Sequence, residues 1–166
     1  DISKRKYSLT EINAEINNIK FSSPSIEINE RKKTFSIKGK ILTSKRDFNR
    51  EQLQIIFNSF FKNLIIKKAR LSSENEISLV VSKKFKFKDL NIKSKINLDQ
   101  LIIKNELIDL KPYLPNLHKE ITFTNHEIII NYDNDKLDIK GSGEILSKDK
   151  PDSINYKVIK KNNEFI

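Results

Sequence analysis

HEIIINYDNDKLDIKGSGEIL, residues 126–146, reads as two alternating strands joined by a polar turn. Ile128, Ile130 and Tyr132 fall two apart, Asp133-Asn134-Asp135 supplies turn chemistry, and Leu137, Ile139, Gly141, Gly143 and Ile145 resume the period. Residues two apart share one face of a strand. The second arm therefore places its apolar residues and glycines on one side, with Lys136, Asp138, Lys140, Ser142 and Glu144 on the other. One face is apolar and the other is hydrated.

The pattern occurs twice. Ile26 to Gly39 aligns without gaps on Ile128 to Gly141 at a spacing of 102, with Ile26, Ile28, Asn29, Ile37, Lys38 and Gly39 identical to their counterparts. Turn, strand phase and glycine coincide, which points to a hairpin repeat at 26–42 and 128–146. Repeated hairpins suggest an architecture that grows by adding strands.

Working outward, most of the chain keeps the β period. Tyr7 to Ile19 alternates with two slips of phase, which imply bulges or a strongly twisted edge. Pro24 is expected to break the ladder before Ile26. Phe35, Ile37, Gly39 and Ile41 form a return strand. Leu64 to Leu71 and Ile77 to Val81 read as a further hairpin about a Ser-Ser-Glu-Asn turn. Phe85 and Phe87 alternate with Lys as a strand interior would, and Leu90, Ile92, Ile96 and Leu98 follow in the other phase. Leu101 to Leu110 fits either a strand or a short helix, and Pro112 and Pro115 end it. Ile154, Tyr156 and Val158 make a last strand.

The exception is Asn49 to Phe61. Leu53, Ile56, Phe57 and Phe60 are spaced i, i+3, i+4, i+7, with Asp47 or Asn49 able to cap and Glu51 in the first turn, so an amphipathic helix is expected at about 49–61. Its other face carries Arg50, Gln54 and Asn58 rather than a basic rim, which favours core packing over membrane contact. The expected fold is mainly β, a single β-rich segment over 1–166. It is an antiparallel meander of about ten strands, curled into an open groove or folded as a sandwich.

Composition narrows the function. The absence of Met marks a processed or excised piece of a longer protein, and the absence of Cys rules out disulfides and thiolate metal sites. The net charge of +10 comes with abundant Lys, Ile and Asn, as an AT-rich genome encodes. The charge is therefore read as a solvated Lys face, and no nucleic-acid partner is expected. No apolar run reaches the roughly 18 residues of a membrane span.

No catalytic constellation is visible, and the chain is not expected to be an enzyme. His118 and His126 lie eight apart without the spacing of a metal site. His126 is in phase with Ile128 and reads as a rim or core residue. Asp133 and Asp135 lack the further ligands of a calcium loop. Gly141-Ser142-Gly143 lies within a strand and reads as a bulge, a bend or a close approach rather than a phosphate cradle. No metal and no cofactor is expected.

An apolar sheet face must be covered, since each exposed Ile, Leu or Phe forgoes roughly 1.5–3 kcal/mol. A second sheet, the helix or acyl chains can each supply the cover.

LDIKGSGEIL, a polar turn, and INYKVIKKNNEF ending in Phe165 together resemble the AsmA-like superfamily of bacterial envelope proteins. The likeness is best over Ile121 to Phe165 and weaker over Ile26 to Leu42. Lys richness and the helix at 49–61 depart from the family pattern. The resemblance implies a periplasmic β-groove that guides phospholipid or another acyl lipid between the inner and outer membranes. Flanking segments would reach both membranes, and the inner-membrane anchor would lie outside this piece. The residues then expected to line the groove are Ile26, Ile28, Phe35, Ile37, Ile41, Ile128, Ile130, Leu137, Ile139, Ile145 and Tyr156. The alternative is a non-enzymatic β-sandwich binding or structural module of the cell envelope with a Lys-rich outer face.

Overall fold

The structure, a computed structural model, describes residues 5–57, 65–104, 120–146, 150–161 and 164–165. These residues form β1 (Arg5–Ile16), β2 (Ile19–Glu30), β3 (Thr34–Phe48), α1 (Arg50–Phe57), β4 (Ile65–Ser82), β5 (Phe87–Lys104), β6 (Glu120–Asp133), β7 (Lys136–Leu146), β8 (Asp152–Lys161) and β9 (Glu164–Phe165). All nine strands belong to one sheet in the order β1-β2-β3-β4-β5-β6-β7-β8-β9. Every neighbouring pair is antiparallel. The sheet is an open meander and not a closed barrel, and among the described residues no second sheet lies on it. It exposes 11923 Å², whereas a compact monomer of 19.4 kDa exposes roughly 8,500 Å². A single layer leaves both faces outside.

The strands are longer than their sequence signals suggest. The alternation from Tyr7 to Ile19 is not one strand, because Asn17 and Asn18, at φ 51° and 60°, form a two-residue turn between Ile16 and Ile19. Two adjacent positive φ values match the right-handed twist of a hairpin, and Asn tolerates them. The other slip in β1 falls at Glu11, at φ 54°. Pro24 does not end its strand; it sits inside β2, where the pairing with β3 shifts register between Ser22 and Ile26. An extra residue there re-aims the side chains and removes the ladder bond that Pro cannot make.

The expected Ser-Ser-Glu-Asn turn is also corrected. β4 runs unbroken through Ser72–Asn75, paired on both sides. Asn75 Nδ2 donates to Ile41 O at 3.3 Å and to Ser73 Oγ at 3.0 Å, so polar groups that would have made a turn serve the sheet. Leu101–Lys104 continues β5. The rest of the Leu101–Leu110 stretch lies outside the described residues.

The two repeated hairpins share one register. Ile26 pairs with Gly39, Ile28 with Ile37 and Glu30 with Phe35; the counterparts Ile128–Gly141, Ile130–Ile139 and Tyr132–Leu137 pair identically.

Helix α1 begins where expected. Asn49 Oδ1 accepts from Gln52 N at 2.8 Å, while Gln52 Oε1 accepts from Asn49 N at 3.1 Å, a reciprocal cap of the first turn. Positions 58–61 of the expected helix lie outside the described residues. Gln52 Nε2 donates to Asn17 O at 3.2 Å, tying the helix start to the β1–β2 turn. Leu53 joins Phe48, Ile66, Ala69, Leu71, Ile96, Leu98 and Ile19 in the buried core. The core therefore sits at one end of the sheet, under α1.

The candidate lipid-binding face

Residues directly opposite each other in a ladder share a face, so the register assigns every strand residue to a side. Leu9, Ile26, Gly39, Ile77, Ile92, Tyr132 and Leu137 are successive partners from β1 to β7 and form one row across the sheet. A parallel row runs Ile41, Asn75, Ser94, Ile130, Ile139, Val158. Toward the helix end, Phe48, Ala69, Leu101, Phe123 and Ile145 line up in the same way. Register shifts between Thr43 and Arg46, Arg70 and Leu71, and Thr124 and Glu127 accompany the phase slips in the sequence. The bulges keep apolar residues on one side where the sequence changes phase.

Every residue expected to line a groove falls on this face. Ile26, Ile28, Phe35, Ile37, Ile41, Ile128, Ile130, Leu137, Ile139, Ile145 and Tyr156 are all half-buried. Among the described residues they are covered by their sheet neighbours and not by a second layer. Leu9, Ile77, Ile92, Ile96 and Val158 extend the face beyond those positions. Ser73, Asn75 and Ser94 interrupt it as a polar notch near its middle.

The glycines of β7 make room for aromatic rings. A Cβ on Gly141 would stand 2.2 Å from Tyr156 Cζ, and one on Gly143 would stand 2.4 Å from His126 Cδ2 and 2.8 Å from His126 Cα. His126 is 3 % exposed, its Nε2 lies 2.9 Å from Glu144 O, and its ring meets Phe123 edge-on at 5.6 Å. It is a core histidine, as its phase implies. Burial pushes the Tyr156 hydroxyl above its ordinary pKa. His118 lies outside the described residues. Among the described residues, no group of three or more metal-ligating side chains is present.

These contacts give a graded prediction. At Gly141 the obstruction is the far end of Tyr156, which can swing outward; at Gly143 it includes backbone. Gly143→Ala is expected to cost about 1–3 kcal/mol as overpacking, and Gly141→Ala distinctly less. Urea denaturation of both variants checks the order, and equal costs would contradict it.

The opposite face is charged. Lys40 Nζ lies 2.7 Å from Glu74, and Lys95 Nζ lies 2.8 Å from Glu127. Glu74 and Lys95 are themselves cross-strand partners, so alternating charge runs from β3 to β6. The hydrogen bond from Lys40 lowers the pKa of Glu74 and raises that of Lys40; that to Glu127 raises that of Lys95. A shallow depression of about 450 Å³ bordered by Asn13, Glu15, Lys20, Ser22, Leu42 and Ser44 lies at the β1–β3 end. Ala14 and Phe21 complete its lining, which mixes polar and apolar side chains.

Carboxylates with lowered pKa stabilise the fold above their ordinary value of 4.5 and stop doing so as pH falls through the folded pKa. Lysines with raised pKa contribute below their ordinary 10.5 and stop as pH rises through the folded value. The urea midpoint is therefore expected to stay flat around neutrality and to fall at both extremes. The pairs are exposed, so the acid fall should be small and weaken with salt. A steep change near neutral pH would contradict this.

Fold and face together define a class: a single-layer antiparallel β-sheet protein with one apolar and one charged face, closed at one end by a helix. No protein-family model matches the chain, and comparison with curated proteins and with solved structures gives no match.

Proposed function

We propose that this chain is a lipid-guiding segment of an AsmA-like envelope protein, carrying phospholipid acyl chains along its apolar face. The observation that carries the reading is the extent of that face, whose apolar rows cross the strands from β1 to β8 around the notch of Ser73, Asn75 and Ser94, with α1 over one end of it. Acyl chains lying on the face gain about 0.8 kcal/mol per buried methylene. Head groups stay in water. No side chain needs to do chemistry, so the chain acts as a passive, non-enzymatic track.

The matching registers of the two hairpins support an architecture built from repeated units. Among the described residues β1 pairs on one side only, which suits continuation of the sheet by neighbouring segments of a longer protein. In that protein the groove would stand in the periplasm between an inner-membrane anchor and the outer membrane.

Native mass spectrometry with lipid extraction tests the reading on protein purified gently from bacterial cells. Phospholipid at a defined stoichiometry is expected. A lipid-free, cooperatively folding protein would overturn the groove; if it were a dimer, a second copy would be the cover.

A further inference from the structure

The end of the sheet away from α1 has a character of its own. The β2–β3 turn is Arg31-Lys32-Lys33 and the β4–β5 turn begins Lys83-Lys84-Phe85-Lys86, running on into Phe87 and Lys88. The two turns are joined, since Lys83 N donates to Lys33 O at 3.1 Å. Phe85 N donates to Ser82 O at 2.8 Å and Lys86 N to Ser82 Oγ at 3.1 Å. These bonds hold Phe85 at φ 56°, a conformation unfavourable to a bulky residue. Phe85 is 82 % exposed and Phe87 73 %.

This corrects the expectation from sequence that the two rings form a strand interior. They stand among cations whose local counter-charges are Glu30, bound 2.7 Å from Lys83, and Asp89. The β6–β7 turn beside them brings Asp133, Asp135 and Lys136.

The tip is continuous with the apolar face. Phe35 pairs with Val81 and Val81 with Phe87, so the last row of the face ends at an exposed ring. Lys83 Nζ lies 5.8 Å from the centre of the Phe35 ring, placing a cation at the mouth.

We infer that the Arg31–Lys33 and Lys83–Lys88 turns dock this end of the sheet on an anionic phospholipid surface. Phe85 and Phe87 enter the interface, and the apolar face opens directly onto the lipid. Rings carried on a protruding turn suit insertion between head groups, and flanking lysines suit the negative surface potential. A single-stranded nucleic acid would instead call for a basic groove with rings along its floor. The part given to the tip in lipid movement rests on the groove reading, whereas docking is read out separately.

Flotation of the full chain with phosphatidylcholine vesicles, and with vesicles in which about a third of the lipid is phosphatidylglycerol, tests this. Binding to the anionic vesicles alone is expected, weakening as salt rises. Phe85→Ser with Phe87→Ser removes two exposed rings and no buried side chain, and should lower binding about tenfold or more. Lys84→Glu with Lys86→Glu should do the same.

Undiminished binding by both double variants overturns the assignment. So does displacement of the vesicles by a single-stranded oligonucleotide that binds more tightly. A protein that carries lipid but fails to dock overturns the tip and keeps the groove; one that docks but carries no lipid does the reverse.

Discussion

Replacing Ile139 with Asp is expected to abolish phospholipid retention by the purified protein. Ile139 sits in the middle of β7, paired with Ile130 on β6 and Val158 on β8, so it is flanked by apolar side chains. An acyl chain laid on that row must either bury the new carboxylate or leave the face. An unpaired charge away from water costs several kcal/mol, comparable to the gain from several methylenes. The carboxylate itself remains hydrated in the lipid-free protein because Ile139 is only half-buried, so the fold should survive. Lys140→Asp is the control. It places the same charge one residue along, on the opposite face, and should leave retention unchanged. Lipid at the wild-type level in the Ile139→Asp protein would remove the groove assignment. Loss in both variants would point to a general charge effect instead.

The apolar face was legible because its signal is local and repeated. Period-two alternation in Ile26–Gly39 and Ile128–Ile145 fixes side, and the coincident glycines fix register. The cap at Asn49 and the helix period were equally local. What could not be read were points where cross-strand pairing overrides local chemistry. Ser72–Asn75 has the composition of a turn, yet β3 and β5 pair with it on either side and hold it extended. Asn17-Asn18 is a true turn hidden within an alternating run. Phe85 had no glycine beside it to announce a positive φ, and only the lysines around it hinted at exposure. A single layer also hides its own thickness. Half-buried residues facing another sheet and half-buried residues facing open space alternate alike, so an open sheet and a sandwich could not be separated before the topology was known.

Leu53→Ala is expected to cost about 2–5 kcal/mol, the range for truncating a buried Leu. Leu53 is 2 % exposed and belongs to the same buried cluster as Ala69, 1 % exposed, and Phe48, 4 %. Elsewhere, among the described residues, the face has no such cover and Ile130 is only partly buried, so Ile130→Ala should cost less in the delipidated protein. Lipid changes that comparison. If acyl chains lie over Ile130, its truncation in the loaded protein exposes a void against the ligand, and its cost should rise. The cost of Leu53→Ala should stay the same, because Leu53 is carried on α1 and is already packed against the sheet end by protein. Urea denaturation of both variants, loaded and delipidated, separates the end closed by protein from the face closed by ligand. A Leu53→Ala cost below about 1 kcal/mol would mean that α1 does not hold the sheet end as described. An Ile130→Ala cost indifferent to lipid would place the ligand off the face.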